Sequence, residues 1–204
     1  MVEPSEALKD GASTLQEADA AVTEAVLPIR HAPAVRILGT ASEIGDQPQM
    51  RALSAGLIGL GLMARRPRLA RAGLRMLVAH ELATAVKNFV KRRVDRTRPR
   101  SLSEGEAPEI RAGSNRAKEA TSFPSGHSAG AAATARAYAR EFPEHRAVAH
   151  AGAGLVALAQ IPRCAHYPSD VGVGLAIGVV SEAALAWLFP AAAVAKAAVD
   201  GADA

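Results

Sequence analysis

Cysteine is nearly missing from this 204-residue chain. Cys164 stands alone, which excludes an internal disulfide framework and a cysteine-based zinc site. Aromatic side chains are scarce as well, at 3% of the residues. No arginine-led apolar segment opens the sequence. Residues 1–20 are acidic and polar, so export as a soluble secreted protein is not expected. Long apolar runs are few: Ala52 to Ala64 falls short of the roughly 20 residues a bilayer needs. Only Val171 to Phe189 approaches that length, with Glu182 inside it. No alternating pattern of period two persists, so strands are not expected. No compact carboxylate cluster suited to Mg²⁺ is visible.

What is abundant is alanine, 47 residues, together with 17 glycines. Such composition points to helices packed closely through small side chains. Hydrophobic residues at 49% and charged residues at 22% exclude wholesale disorder. The net charge of +4 is modest; it fits phosphate handling or a membrane surface, and no nucleic-acid partner is expected. The length suits one domain, or at most two small ones.

The predicted architecture is all-α, a bundle of five to six helices that spans a membrane several times. Residues 1–40 read as a polar to amphipathic N-terminal segment, frayed over 1–13 and interrupted at Pro28 and Pro33. Residues 41–190 form the bundle and 191–204 an alanine-rich tail. Gly39 to Gln49 reads as a loop. Helices are expected over 52–64, 72–90, 125–140, 147–161 and 168–189, with a long polar loop at 91–124. If each helix crosses once, the basic loops 65–71 and 140–146 share one end, cytoplasmic by the positive-inside tendency. Loop 91–124 and the connection 162–167 share the other end.

Three segments at that second end carry chemistry. Lys91 and Arg98 are seven residues apart, two helical turns, before Pro99. Two fixed cations suit a phosphate, although a solvated basic helix end has the same composition. Pro124, Ser125, Gly126 and His127 open a helix whose N-terminal N–H groups favour an anion. By itself this is also an ordinary capped helix. His166 and Asp170 stand at i and i+4 beside Pro168. A carboxylate there can hold one ring nitrogen and free the other as a nucleophile, or simply complement the helix dipole. No structural role alone accounts for all three.

In order and spacing these segments resemble the type 2 phosphatidic acid phosphatase superfamily, whose signature is Lys-x6-Arg-Pro, Pro-Ser-Gly-His and Ser-Arg-x5-His-x3-Asp. The chain departs once: Ala159 and Gln160 occupy the Ser-Arg positions, and the nearest arginine is Arg163. The resemblance implies His166 as nucleophile, Asp170 as its orienting partner and His127 as general acid and base. It implies Lys91, Arg98, Ser125 and Gly126 as phosphate ligands, joined by Arg163 or else Gln160, with no metal and no cofactor. It further implies a lipid phosphate or diphosphate substrate of the phosphatidate, phosphatidylglycerophosphate or polyprenyl type. The site then lies at the outer face of a multi-pass cell-membrane protein. A soluble acid phosphatase of the same superfamily and an inactive lipid-binding membrane protein are the alternatives. Alanine- and glycine-rich faces at 128–139 and 151–157 would line a slot for a lipid tail.

Overall fold

The computed structural model describes residues 4–101, 110–115, 117 and 120–190, so the tail at 191–204 lies outside the described residues. Among these residues there are seven α-helices: α1 (Pro4–Val26), α2 (Pro33–Ser42), α3 (Gln47–Met63), α4 (Pro67–Lys91), α5 (Gly126–Glu141), α6 (Arg146–Leu158) and α7 (Pro168–Leu188). Proline stands in the first turn of α2, α3, α4 and α7. There its missing N–H has no partner to lose and its fixed φ suits the helix.

Three sequence expectations need correction. Of the segment expected to fray, residues 4–13 belong to α1, and residues 1–3 lie outside the described residues. The loop expected at Gly39 to Gln49 is mostly helical: α2 reaches Ser42, a 3₁₀ turn covers Glu43–Gly45, and α3 begins at Gln47. Strands, not expected, do occur. β1 (Val94–Arg96) pairs antiparallel with β2 (Ile110–Ala112) inside the segment read as a loop. Pro99 biases the residue before it toward extended backbone. Three residues per strand are too few to leave an alternating pattern in sequence.

Helix α5 is central and packs against α3, α4, α6 and α7. Its partners meet it through small residues. The core joins Met76, Ala79 and Ala83 of α4 to Ala133 and Ala137 of α5 and Leu185 of α7. Along α7, Gly174 and Gly178 lie against the α5 backbone. A Cβ at Gly174 would stand 2.5 Å from the Ser125 carbonyl oxygen, and one at Gly178 would stand 2.4 Å from that of Ala129. This is how the alanine and glycine content is used: backbones approach where larger side chains would hold them apart.

At one end Glu182 of α7 accepts hydrogen bonds from Arg136 and Arg140 of α5. Glu141 pairs with Arg75 at 2.9 Å. Arg68 donates to the Glu141 carbonyl at 2.6 Å, and its guanidinium lies 4.3 Å from the centre of the Phe142 ring. The α3–α4 and α5–α6 connections therefore share an end, as the placement of basic loops implied. Among the described residues one helix, α7, is long and apolar enough to cross a membrane, with a mean hydropathy of 1.9.

Replacing Gly178 by Val should drive α7 off α5 and lower stability by about 1–3 kcal/mol or more. Thermal unfolding of the purified protein reads this, and an unchanged midpoint would show that the close approach is not tight.

Candidate active site

At the other end, α4, α5 and the connection preceding α7 converge on a cavity of about 380 Å³. Lys91 is the last residue of α4, and Lys87 lies one turn earlier on the same face. Both amines reach the cavity wall. Arg98 follows β1 and donates to the Ala165 carbonyl at 2.9 Å and to that of Thr121 at 3.3 Å. Its guanidinium thus ties the extended 94–98 segment to the loop bearing His166. The Arg100 N–H reinforces the tie by donating to the Cys164 carbonyl at 3.0 Å.

Ser125 caps α5. Its hydroxyl oxygen accepts from the Ser128 hydroxyl at 2.9 Å and its N–H donates to the Asp170 carbonyl at 3.0 Å. The side chain is fully buried and does not line the cavity. Gly126 and His127 do line it, at the positive end of α5. A Cβ at Gly126 would press on the Lys87 side chain at 3.3 Å, so glycine lets that lysine lie across the helix start.

The loop after α6 is folded back on itself. The Gln160 carbonyl accepts the N–H groups of both Ala165 and His166, and Cys164 adopts a left-handed φ of 50°. His166 emerges nearly buried, with Nδ1 3.5 Å from an Asp170 carboxylate oxygen. Nε2 is then the nitrogen left for a substrate. Asp170 lies behind His166, off the cavity wall. It accepts the Tyr167 N–H at 3.0 Å and a charged hydrogen bond from Arg96 at 2.6 Å. Arg96 in turn pairs with Asp19 of α1 at 2.6 Å. Burial pushes the His166 imidazole down to about 4; the Asp170 partner opposes this shift, while Arg98 and Lys91 add to it. The ring is neutral at neutral pH.

Two carboxylates that no motif marks also reach the wall. Asp46 Oδ1 lies 3.3 Å from His127 Nε2, and Glu43 lies 3.8 Å from the same atom. Glu43 also pairs with Arg163 at 2.6 Å. The donor atoms of Glu43, Asp46 and His127 fall within 4.8 Å of one another, the one group among the described residues whose spacing could hold a cation. The expectation that no carboxylates cluster therefore needs correction, because Glu43 and Asp46 come from the 3₁₀ turn and the residue after it, far from His127 in sequence. Arg163 is on the wall and is anchored by the Gly39 carbonyl and the Ser42 hydroxyl. Gln160 is on the wall as well, nearly buried, donating to Ser42 and to the Val156 carbonyl.

The cavity thus has Lys87, Lys91, Arg98, Arg100 and Arg163 against Glu43 and Asp46, with His127 and His166 facing it. A cation excess in a confined, half-enclosed space is an anion site. Of the residues expected from sequence, Lys91, Arg98, Gly126, His127, Arg163 and His166 share one wall, and Ser125 and Asp170 stand behind it.

The profile of the PAP2 superfamily matches residues 72–193. The chain belongs to the PAP2 superfamily, and the cavity is built from the segments that carry its signature. No curated protein matches the chain in sequence. Among solved structures it is similar to a transmembrane PAP2 type phosphatidylglycerolphosphate phosphatase from Bacillus subtilis, at 23% identity and a TM-score of 0.60, covering 83% of each chain. It is also similar to Aquifex aeolicus LpxE, at 20% identity and a TM-score of 0.54, covering 80% of this chain and 91% of that one. Both likenesses are of fold.

Inorganic phosphate should bind this cavity, more weakly as salt rises. Lys91→Met should weaken binding by roughly 10-fold, the worth of one charged hydrogen bond. Titration calorimetry in detergent checks both, and equal affinity in the variant would remove Lys91 from the site.

Proposed function

We propose that this PAP2 phosphatase hydrolyses a membrane lipid phosphate or diphosphate through a phosphohistidine on His166, without a metal ion. The observation that carries the reading is the pairing of a carboxylate-backed, neutral imidazole with a second imidazole across a cavity rich in cations.

His166 Nε2 attacks phosphorus while the P–O bond to the lipid alcohol breaks. His127 gives its proton to the departing oxygen. His127 then takes a proton from water, whose oxygen attacks phosphorus. The P–N bond breaks, releasing phosphate and neutral His166. Asp170 stabilises the positive ring of the intermediate. Lys91, Arg98, the Gly126 N–H and Arg163 hold the equatorial oxygens, the task a metal ion performs elsewhere. Ser125 serves by fixing the start of α5. Burial lowers the His127 pKa below the ordinary histidine value, and Asp46, within reach of its Nε2, opposes that shift toward the protonated ring needed for the first step.

Support for a lipid comes from a second cavity, about 500 Å³, lined by Ile44, Leu53 and Leu57 on one side and by Ala131, Ala153 and Val156 on the other. Ile44 lines this apolar space, whereas its neighbours Glu43 and Gly45 line the polar one. A hydrocarbon tail and its phosphate would thus bind to adjoining chambers. The alanine- and glycine-rich face of α6 lies here, where a tail slot was expected. Apolar side chains also cover the outer surface: Leu60 and Leu62 on α3, Phe89 on α4, Val148, Leu155 and Leu158 on α6, Val180 and Trp187 on α7. An apolar girdle around short, alanine-rich helices supports a multi-pass arrangement. The arginine-rich end then faces the cytoplasm and the site faces outward. The Bacillus subtilis protein of similar fold is a transmembrane phosphatidylglycerolphosphate phosphatase, which fits this class of substrate.

The purified protein should hydrolyse lipid phosphates in the presence of a chelator, and both His166→Ala and His127→Ala should abolish turnover. Because His166 must be neutral to attack and burial lowers its pKa, the acidic limb of kcat/KM should fall below pH 6.5, the ordinary histidine value. A requirement for added metal, or full activity without His166, would refute the mechanism. Ala153→Phe should raise KM for long-chain substrates and leave a water-soluble aryl phosphate unaffected. Equal effects on both would separate the apolar chamber from lipid binding.

A further inference from the structure

The N-terminal helix precedes the region matched by the superfamily profile, yet one of its side chains reaches the base of the site. Asp19 is almost fully buried. One carboxylate oxygen accepts from Arg96 at 2.6 Å and from the Ser169 hydroxyl, and the other accepts the Ser169 N–H at 3.0 Å. Arg96 completes the chain: its other terminal nitrogen donates to Asp170 at 2.6 Å and to the Ser169 hydroxyl at 2.7 Å. Its guanidinium lies 4.0 Å from the centre of the Tyr167 ring. Asp19, Arg96, Asp170 and His166 thus form one continuous buried line.

The charge count along this line is informative. One guanidinium against Asp170 alone would neutralise the carboxylate that His166 depends on. With Asp19 present, two carboxylates share one guanidinium, and one net negative charge remains beside the imidazole. Burying an additional carboxylate costs stability unless it is paired and hydrogen-bonded, and Asp19 is both.

We propose that Asp19, on α1, is a positioning residue of the reaction. It holds Arg96 from the far side and leaves Asp170 a net negative charge with which to support the positive His166 ring. This rests on the phosphohistidine reading above. It makes α1 part of the working enzyme and not an appendage to the bundle.

The charged and titratable groups around His166 are Asp170 on α7 with Arg96 behind it, Lys91 and Lys87 on α4, Arg98 and Arg100 after β1, Arg163 in its own loop, His127 on α5, and Glu43 and Asp46 before α3. Of these, Arg96 is the one in contact with Asp19, so a shift in His166 reports on Asp19 through Arg96.

The test uses the full chain in detergent, with a water-soluble aryl phosphate as substrate. The kcat and KM are measured from about pH 2.5 to 9, a range that brackets a His166 value of about 4, for the wild type, Asp19→Asn and Asp19→Glu, and the His166 imidazole is titrated by NMR in each. In Asp19→Asn, kcat should fall about 10-fold with KM within about twofold. Losing a negative charge lowers the imidazole pKa, so the acidic limb and the His166 titration should both move to lower pH by about half a unit. Asp19→Glu should restore much of both. A fall in kcat with the limb and titration unmoved would make Asp19 merely structural and overturn the proposal, as would wild-type behaviour in Asp19→Asn. If Asp19→Asn does not fold, Asp19→Ser replaces it; failure of both to fold also overturns the proposal. A wild type that titrates as described but turns nothing over would sink the phosphatase reading and leave the charge coupling standing.

Discussion

Asp170 is the residue on which the site's construction depends. Its side chain accepts the Tyr167 N–H and the Arg96 guanidinium and faces His166, while its backbone carbonyl accepts the Ser125 N–H. One residue therefore joins the strand after α4, the start of α5 and the start of α7. A fully buried carboxylate is costly unless every lone pair is used. That cost makes the junction specific, because a shift in any one segment would leave the charge without its partners. The same bonds that stabilise the carboxylate fix where His166 points.

A rigid scaffold is needed for such a junction to hold its geometry. The bundle supplies it through backbone contact and not through large side chains. Gly174 rests on the Ser125 carbonyl, so the close packing of α7 on α5 begins at the residue that caps α5 and stands behind the cavity wall. The outer surface is left for leucine, valine and tryptophan, and the interior for alanine. This is the reverse of a soluble core, where the largest apolar side chains are buried. Hydropathy marks α7 more clearly than its neighbours because α4 carries Arg68, Arg71, Arg75, Glu81, Lys87 and Lys91 and α5 carries Arg136, Arg140 and Glu141, whereas the charged residues of α7 are Asp170 and Glu182.

How much of this was legible in sequence follows from how each feature is encoded. Lys91, Arg98, Gly126, His127 and His166 stand in local patterns with fixed spacing, and all five line the one cavity. Arg96 lies inside the first pattern but points away from the cavity, so nothing in its spacing separates it from its neighbour Arg98. Lys87 could have been found, since it shares a helical face with Lys91. Glu43, Asp46 and Asp19 could not. They reach the site because α1 and the turn after α2 fold over it, and nothing in their own neighbourhoods distinguishes them from solvated acids. The short β1–β2 pair was hidden for a related reason, since its pairing is set by the partner strand and not by its own composition.

The departure from the superfamily signature at Ala159 and Gln160 has a structural counterpart. A helix continued through Pro162 would have carried Arg163 one turn on and over the cavity. Instead α6 ends at Leu158, and the following turns bring Arg163 to the wall from a loop. A loop arginine needs anchoring that a helical one obtains from its own backbone. Here the Gly39 carbonyl, the Ser42 hydroxyl and the Glu43 carboxylate provide it, all from α2 and the turn after it. Gln160 uses the same Ser42 hydroxyl, so the residue at the signature position has become part of the support for the residue that reaches the cavity. The N-terminal segment is therefore joined to the site twice, through Ser42 and Glu43 on the side of Arg163 and through Asp19 on the side of His166. The place of Arg163 on the wall and the packing of the helices before α3 therefore depend on one another: the cation reaches the cavity where Gly39, Ser42 and Glu43 hold it.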